Sequence, residues 1–140
     1  MLDVSTPEVS TPARDAPVAT ERVRLSSLRV AGNTMEVAAA GELDIATAPK
    51  LDAALRRAQA KAEVVVLDLR GVEFMDCDGL HVLLAADHRA RRAGGRLVVV
   101  RGSATVQRLF GLVGLGPRLE LVDRPPPWTA APAVPEDISA

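Results

Sequence analysis

The side chains best suited to chemistry gather in one short run, Asp76-Cys77-Asp78-Gly79-Leu80-His81. A second acidic pair, Glu42 and Asp44, lies in the run Gly41-Glu42-Leu43-Asp44. A thiol and an imidazole four residues apart share a helix face and could act as nucleophile and base. Neither run supplies a recognisable oxyanion hole or a group to orient His81, so the pattern does not read as an enzyme. Asp76-Cys77-Asp78-Gly79 also has the look of the opening of a calcium loop. The acid required at the twelfth place would be Asp87, yet an apolar helical pattern already starts at Leu80, which excludes the loop. No metal and no cofactor is expected.

What remains is the electrostatics of a helix start. Unpaired N–H groups and a partial positive charge there favour anions. Asp76 is placed to cap the helix and Asp78 to occupy its first turn, each worth about 0.3–1 kcal/mol when exposed. Gly79 is expected to allow close approach of a partner. The helix end favours a thiolate at Cys77, whereas the flanking carboxylates oppose it, so the expected role of Cys77 is a small, inert side chain. His88, Arg89, Arg91 and Arg92 form a basic cluster expected at the solvated C-terminal end of the same helix.

The elements that position these residues follow from hydrophobic period. Arg22 to Val30 and Thr34 to Ala40 read as a strand pair joined by Ala31-Gly32-Asn33. Thr47 is the expected N-cap of a helix with Pro49 in its first turn. That helix turns Leu51, Ala54, Leu55 and Ala58 inward and Lys50, Arg56, Arg57 and Gln59 to water. Val64 to Leu67 is an apolar run expected of a strand covered on both faces, and a loop then leads to Asp76. A helix from about Asp78 to Ala93 turns Leu80, Leu83, Leu84 and Ala90 inward and stops at Gly94-Gly95. Arg96 to Arg101 is a strand. Ser103 caps a helix through Leu112, in which Leu109, Phe110, Leu112 and Val113 are expected to pack on the sheet. Leu119 to Val122 is a last short strand. The order ββαβαβαβ predicts an α/β fold, a mixed β-sheet with covering α-helices.

The chain has 140 residues, 48% hydrophobic and 25% charged, the balance of one soluble domain. A net charge of −1 lacks the basic excess that duplex binding needs, and 2% aromatics cannot build a stacking platform, so no nucleic-acid partner is expected. No apolar run approaches the roughly 20 residues of a membrane span, so no membrane insertion is expected. A lone Cys excludes an internal disulfide and, without an apolar leader, points to a cytoplasmic protein. Eight of the ten prolines lie before Glu21 or after Asp123. Residues 1–20, with their repeated Val-Ser-Thr-Pro, and 124–140, with Trp128 beside three prolines, are therefore expected to be disordered tails around a domain at 21–123.

Four motifs in order carry a resemblance: Gly41-Glu42-Leu43-Asp44, Asp76-Cys77-Asp78-Gly79-Leu80, Gly94-Gly95, and Ser103-Ala104-Thr105-Val106-Gln107-Arg108-Leu109-Phe110. Over 22–123 the chain resembles the STAS-domain family of bacterial anti-sigma factor antagonists. The resemblance implies a cytoplasmic binding module without catalytic activity. Its implied partner is an anti-sigma factor of histidine-kinase-like ATPase fold that acts as a serine kinase; binding it frees a sigma factor. In the family a Ser just after the motif's Asp is phosphorylated, which places about −1.5 to −2 charges in the contact surface and releases the partner. The implied contact surface here is Asp76, Cys77, Asp78, Gly79 and His81, joined by Glu42 and Asp44.

This sequence departs from the pattern at the switch. The phosphoacceptor position is Cys77, the next residue is Asp78, and no hydroxyl side chain occurs between Ala62 and Gly102. The first reading is an antagonist that phosphorylation cannot turn off. In a second, Asp78 imitates the phosphorylated form, although one charge, one position away, is a poor imitation. In a third, oxidation of Cys77 blocks the surface. A different class, an accessory STAS module of a transporter or lipid-trafficking complex, fits the same composition.

Overall fold

In the computed structural model of the chain, residues 22–114, 118–126 and 134–136 are described. Strands β1 (Val23–Ala31) and β2 (Thr34–Leu43) pair antiparallel across a turn in which Gly32 takes a positive φ of 41°. Strands β3 (Val64–Met75), β4 (Arg96–Val100) and β5 (Glu120–Val122) then add in parallel, each to the one before. Helices α1 (Ala48–Lys61), α2 (Cys77–Arg92) and α3 (Ala104–Leu112) make the crossovers.

All three helices bury their apolar stripes in one core. Leu51, Ala54, Leu55 and Ala58 of α1 meet Leu80, Leu83, Ala86 and Ala90 of α2 and Val106 and Phe110 of α3. The sheet contributes Met35, Val37, Val65, Leu67, Leu69, Leu97 and Val99, alternate positions along each strand as the pleat requires. The intervening positions Val66, Val98 and Val100 form a separate buried cluster on the opposite face.

The observed order agrees with ββαβαβαβ from β1 to β5 and departs from the sequence reading in three places. First, β3 runs on from Leu67 to Met75, where a loop is expected. Its last residues pair with β2 through two register shifts after β4 has ended beside Asp68. Exposed Arg70, Gly71, Glu73 and Phe74 break the apolar pattern there while the ladder to β2 continues.

Second, Leu112 and Val113 do not pack on the sheet. They are 79% and 46% exposed, because α3 buries only Val106 and Phe110 before the chain turns away at Gly114.

Third, the sheet has a sixth strand, β6 (Val134–Glu136), within the segment expected to be a disordered tail. It pairs antiparallel with β1 and gives the order β5-β4-β3-β2-β1-β6. Three residues with Pro135 at the centre make no readable period in sequence, and an edge is where a strand tolerates proline. The Val-Ser-Thr-Pro repeat and Trp128 lie outside the described residues.

Candidate functional site

Because β2 and β3 are parallel neighbours, the chain reversals that follow them lie side by side. Glu42 pairs with Phe74 and Leu43 with Met75, and the Asp76 N–H donates to the Leu43 carbonyl at 3.0 Å. This brings the two acidic runs of the sequence together at one end of the sheet.

The first reversal is closed on itself. Asp44 Oδ1 accepts from the N–H groups of Ala46 (3.0 Å) and Thr47 (3.1 Å). The Thr47 hydroxyl donates to the Glu42 carbonyl at 2.7 Å and accepts from the Asp44 N–H at 2.9 Å. Thr47 therefore stands at the cap position of α1 without capping it with its side chain; its hydroxyl is committed to the turn before the helix. Arg22 ties down the remaining charge, with Nε 3.3 Å from Glu42 Oε1 and Nη2 against Asp44 Oδ2. Gly41 makes that contact possible. Its φ is +103°, and a Cβ there would lie 2.2 Å from the Arg22 carbonyl oxygen.

The second reversal is open to solvent. Asp76, with extended backbone, accepts on Oδ1 from the N–H groups of Asp78 (2.9 Å) and Gly79 (3.3 Å), which makes it the cap expected from the sequence. Cys77 is the first helical residue and is exposed. Asp78 is half-buried, and His81 is exposed one turn further on.

Gly79 corrects an expectation. It is buried, and a Cβ would lie 2.9 Å from Met75 Cγ and 3.0 Å from Leu43 Cβ. The close approach it permits is that of α2 to β2 and β3, inside the molecule. Cys77 and His81 are both exposed, and no hydrogen bond joins them.

Two apolar residues that the motifs did not single out flank this end. Phe74 is 45% exposed beside Glu42, and Ile45, directly after Asp44, is 74% exposed. In a chain with two Phe and one Trp, a phenylalanine left half in water is the signal that a reading of β3 to its true end would have raised. Cys77 and His81, with Phe74 and Ile45, are exposed at this end of the sheet, and Asp78 is half-buried among them in sequence.

Two members of the basic cluster at the far end of α2, Arg89 and Arg91, are engaged within the fold. Arg89 Nε donates to Gln59 Oε1 at 3.0 Å, so Gln59 is not turned to water as expected. Arg91 pairs with Asp87 at 2.9 Å and donates to the Arg118 carbonyl at 3.1 Å. On the helix-free face, Asp68 is gripped by Arg70 through Nη2 at 2.8 Å and Nε at 3.0 Å. Burial by itself would raise the Asp68 pKa, but the Arg70 hydrogen bonds and charge outweigh it and hold the carboxyl below its ordinary value. Glu36 is pushed up, first by burial and then by the Asp68 charge.

Comparison with known proteins fits this architecture. The family profile of the STAS domain matches residues 26–124. An anti-sigma-B factor antagonist from Listeria monocytogenes is 36% identical over 88 residues, covering 62% of this chain and 77% of that protein. One from Bacillus subtilis is 31% identical over 83 residues, covering 59% and 76%. An anti-sigma factor antagonist from Mycobacterium paratuberculosis superposes with a TM-score of 0.66 at 26% identity, covering 76% of this chain and 90% of that one. Among the described residues, no helix is long and apolar enough to cross a membrane. With the profile spanning most of the chain and the two acidic reversals set side by side, the protein belongs to the STAS-domain family.

Proposed function

We propose that this protein is an anti-sigma factor antagonist that binds an anti-sigma factor through the start of α2 and so releases a sigma factor. Its partner in this reading is a serine kinase of histidine-kinase-like ATPase fold, and the complex escapes the kinase because the acceptor position holds Cys77. The observation that carries the reading is the exposed Cys77 thiol at the first position of α2, directly after the capping Asp76, the position at which the family resemblance implies a serine. The names of the relatives support an anti-sigma factor as the partner. Phe74 and Ile45 supply apolar area beside the helix start, while Asp78 and His81 supply polar groups that set partner choice.

The test uses the full chain with a cognate anti-sigma kinase and ATP. Residues 62–102 should acquire no phosphate while the complex persists, and the double variant Cys77→Ser, Asp78→Ser should become a substrate and dissociate. Phosphate on 62–102 of the unaltered chain would refute the loss of the switch. Failure to bind any such kinase, with a transporter subunit captured instead, would refute the partner class.

A further inference from the structure

The end of the molecule opposite the start of α2 holds a cleft. The last turns of α1 and α2 line it, about 22 Å along α2 from Cys77. Asn33, Glu63 and Gly95 line it where neighbouring strands begin. The Val64 N–H donates to the Asn33 carbonyl at 3.1 Å, and the Arg96 N–H to the Glu63 carbonyl at 2.9 Å. A Cβ on Gly95 would lie 2.3 Å from the Glu63 carbonyl oxygen, so these segments are held in direct contact. The cleft is thus built into the fold. Its volume of about 700 Å³ falls within the roughly 300–1,000 Å³ of small-molecule sites.

Its charge differs from that of the chain as a whole. Arg56, Lys61, Arg89 and Arg92 line it, and Glu63 is the lining carboxylate. Asp52 stands beside them, 2.8 Å from Arg56 Nε and 3.5 Å from Arg89 Nη1. Four cations against two carboxylates leave +2 here, in a chain of net charge −1.

Cations at a helix C-terminus ordinarily answer its exposed carbonyls. At α2 the backbone already does so. The N–H groups of Ala93, Gly94 and Gly95 donate to the carbonyls of Arg89, Arg91 and Ala90 at 3.1, 3.2 and 2.8 Å. Arg92 has no ion-pair partner among the described residues. Arg89 is more telling. Its Nε is held by Gln59 and its Nη1 faces Asp52, but Nη2 is buried without a hydrogen-bond partner among the described residues. A buried guanidinium N–H left unpaired is costly, and an anionic oxygen reaching it removes that cost. The remaining wall is largely methyl groups, from Ala60, Ala62, Ala90 and Ala93, and no aromatic side chain lines the cleft. A ligand with a ring would find nothing to stack on.

We propose that this cleft binds a small polyvalent anion, one bearing two or more carboxylate or phosphoryl groups and no ring, with Arg89 and Arg92 as its main contacts. The site is separate from the start of α2 and stands whether or not that surface binds an anti-sigma factor.

Calorimetric titration of the full chain tests this, with citrate in one arm and inorganic pyrophosphate in the other. Each arm is compared with sodium chloride at matched ionic strength. At least one of the two should saturate a single site per chain, and the arm that binds identifies carboxylate or phosphoryl as the recognised group. Arg92→Glu, at an exposed position, should weaken that binding about tenfold or more. Arg108→Glu makes the same charge change at an exposed position of α3, outside the cleft, and should alter binding by less than about twofold. No saturable heat beyond that of chloride in either arm would overturn the proposal. So would equal weakening by the two variants.

Discussion

Asp44 and Asp76 each follow a parallel strand, and each sets a carboxylate oxygen on two backbone N–H groups before a helix. Around Asp44 the polar neighbours are engaged within the fold, with Ile45 left exposed: Arg22 holds both acids and the Thr47 hydroxyl bridges the turn. Around Asp76 the cap, Gly79 and Leu80 face the fold, while Cys77 and His81 stand in water and Asp78 is half-buried. The same residue type in the same role thus closes one reversal and leaves the other available. An acidic motif marks a place in the fold; whether its surface is free depends on what the neighbours are bonded to.

Substitutions at the two reversals can break or sharpen this contrast. The largest effect is expected at Gly79→Ala, where the new methyl meets Met75 and Leu43 and should cost about 1–3 kcal/mol in urea unfolding. An unchanged midpoint would mean that α2 is free to shift away from β2. Next, Asp76→Ala should cost about 0.5–2 kcal/mol through loss of the cap, read by the same titration. Asp44→Asn keeps the turn acceptor and loses only the charge facing Arg22, so it should cost no more than about 1 kcal/mol. If it proves as costly as Asp76→Ala, the first reversal depends on its ion pair more than on its turn. Cys77→Ala should change stability by less than about 0.5 kcal/mol and alter only partner binding.

The smallest expected effect lies away from both reversals, in the acids of the helix-free face, and is gated by pH. The raised Glu36 pKa means that its charged form is disfavoured in the folded chain. Its contribution is present below the ordinary value of 4.5 and is lost as pH rises through the raised one. Glu36→Gln should therefore gain stability at neutral pH and lose that gain in acid. The lowered Asp68 pKa has the opposite sign: its contribution is present above 3.8 and is lost as pH falls through the depressed value. Asp68→Asn should destabilise at neutral pH, with the difference fading in strong acid. Parallel melting curves against pH check both.

Much of this was local enough to be legible in the chain. The stripes Leu51-Ala54-Leu55-Ala58 and Leu80-Leu83-Ala90, the capping Asp76 and Ser103, and the stop at Gly94 depend on neighbours within a few residues, and each is found in the structure as expected. Four motifs in order were enough to indicate the family. The rest needed partners distant in sequence. Pairing with β2 extends β3 to Met75 through residues whose own pattern is broken. The contact with Leu43 turns Gly79 inward, and Arg22, twenty residues before Glu42, engages both acids of the first reversal. β6 exists only because β1 offers a free edge. Period and capping are read along the chain, whereas the choice of which surfaces stay open is made between segments that meet only after folding, and no local pattern encodes it.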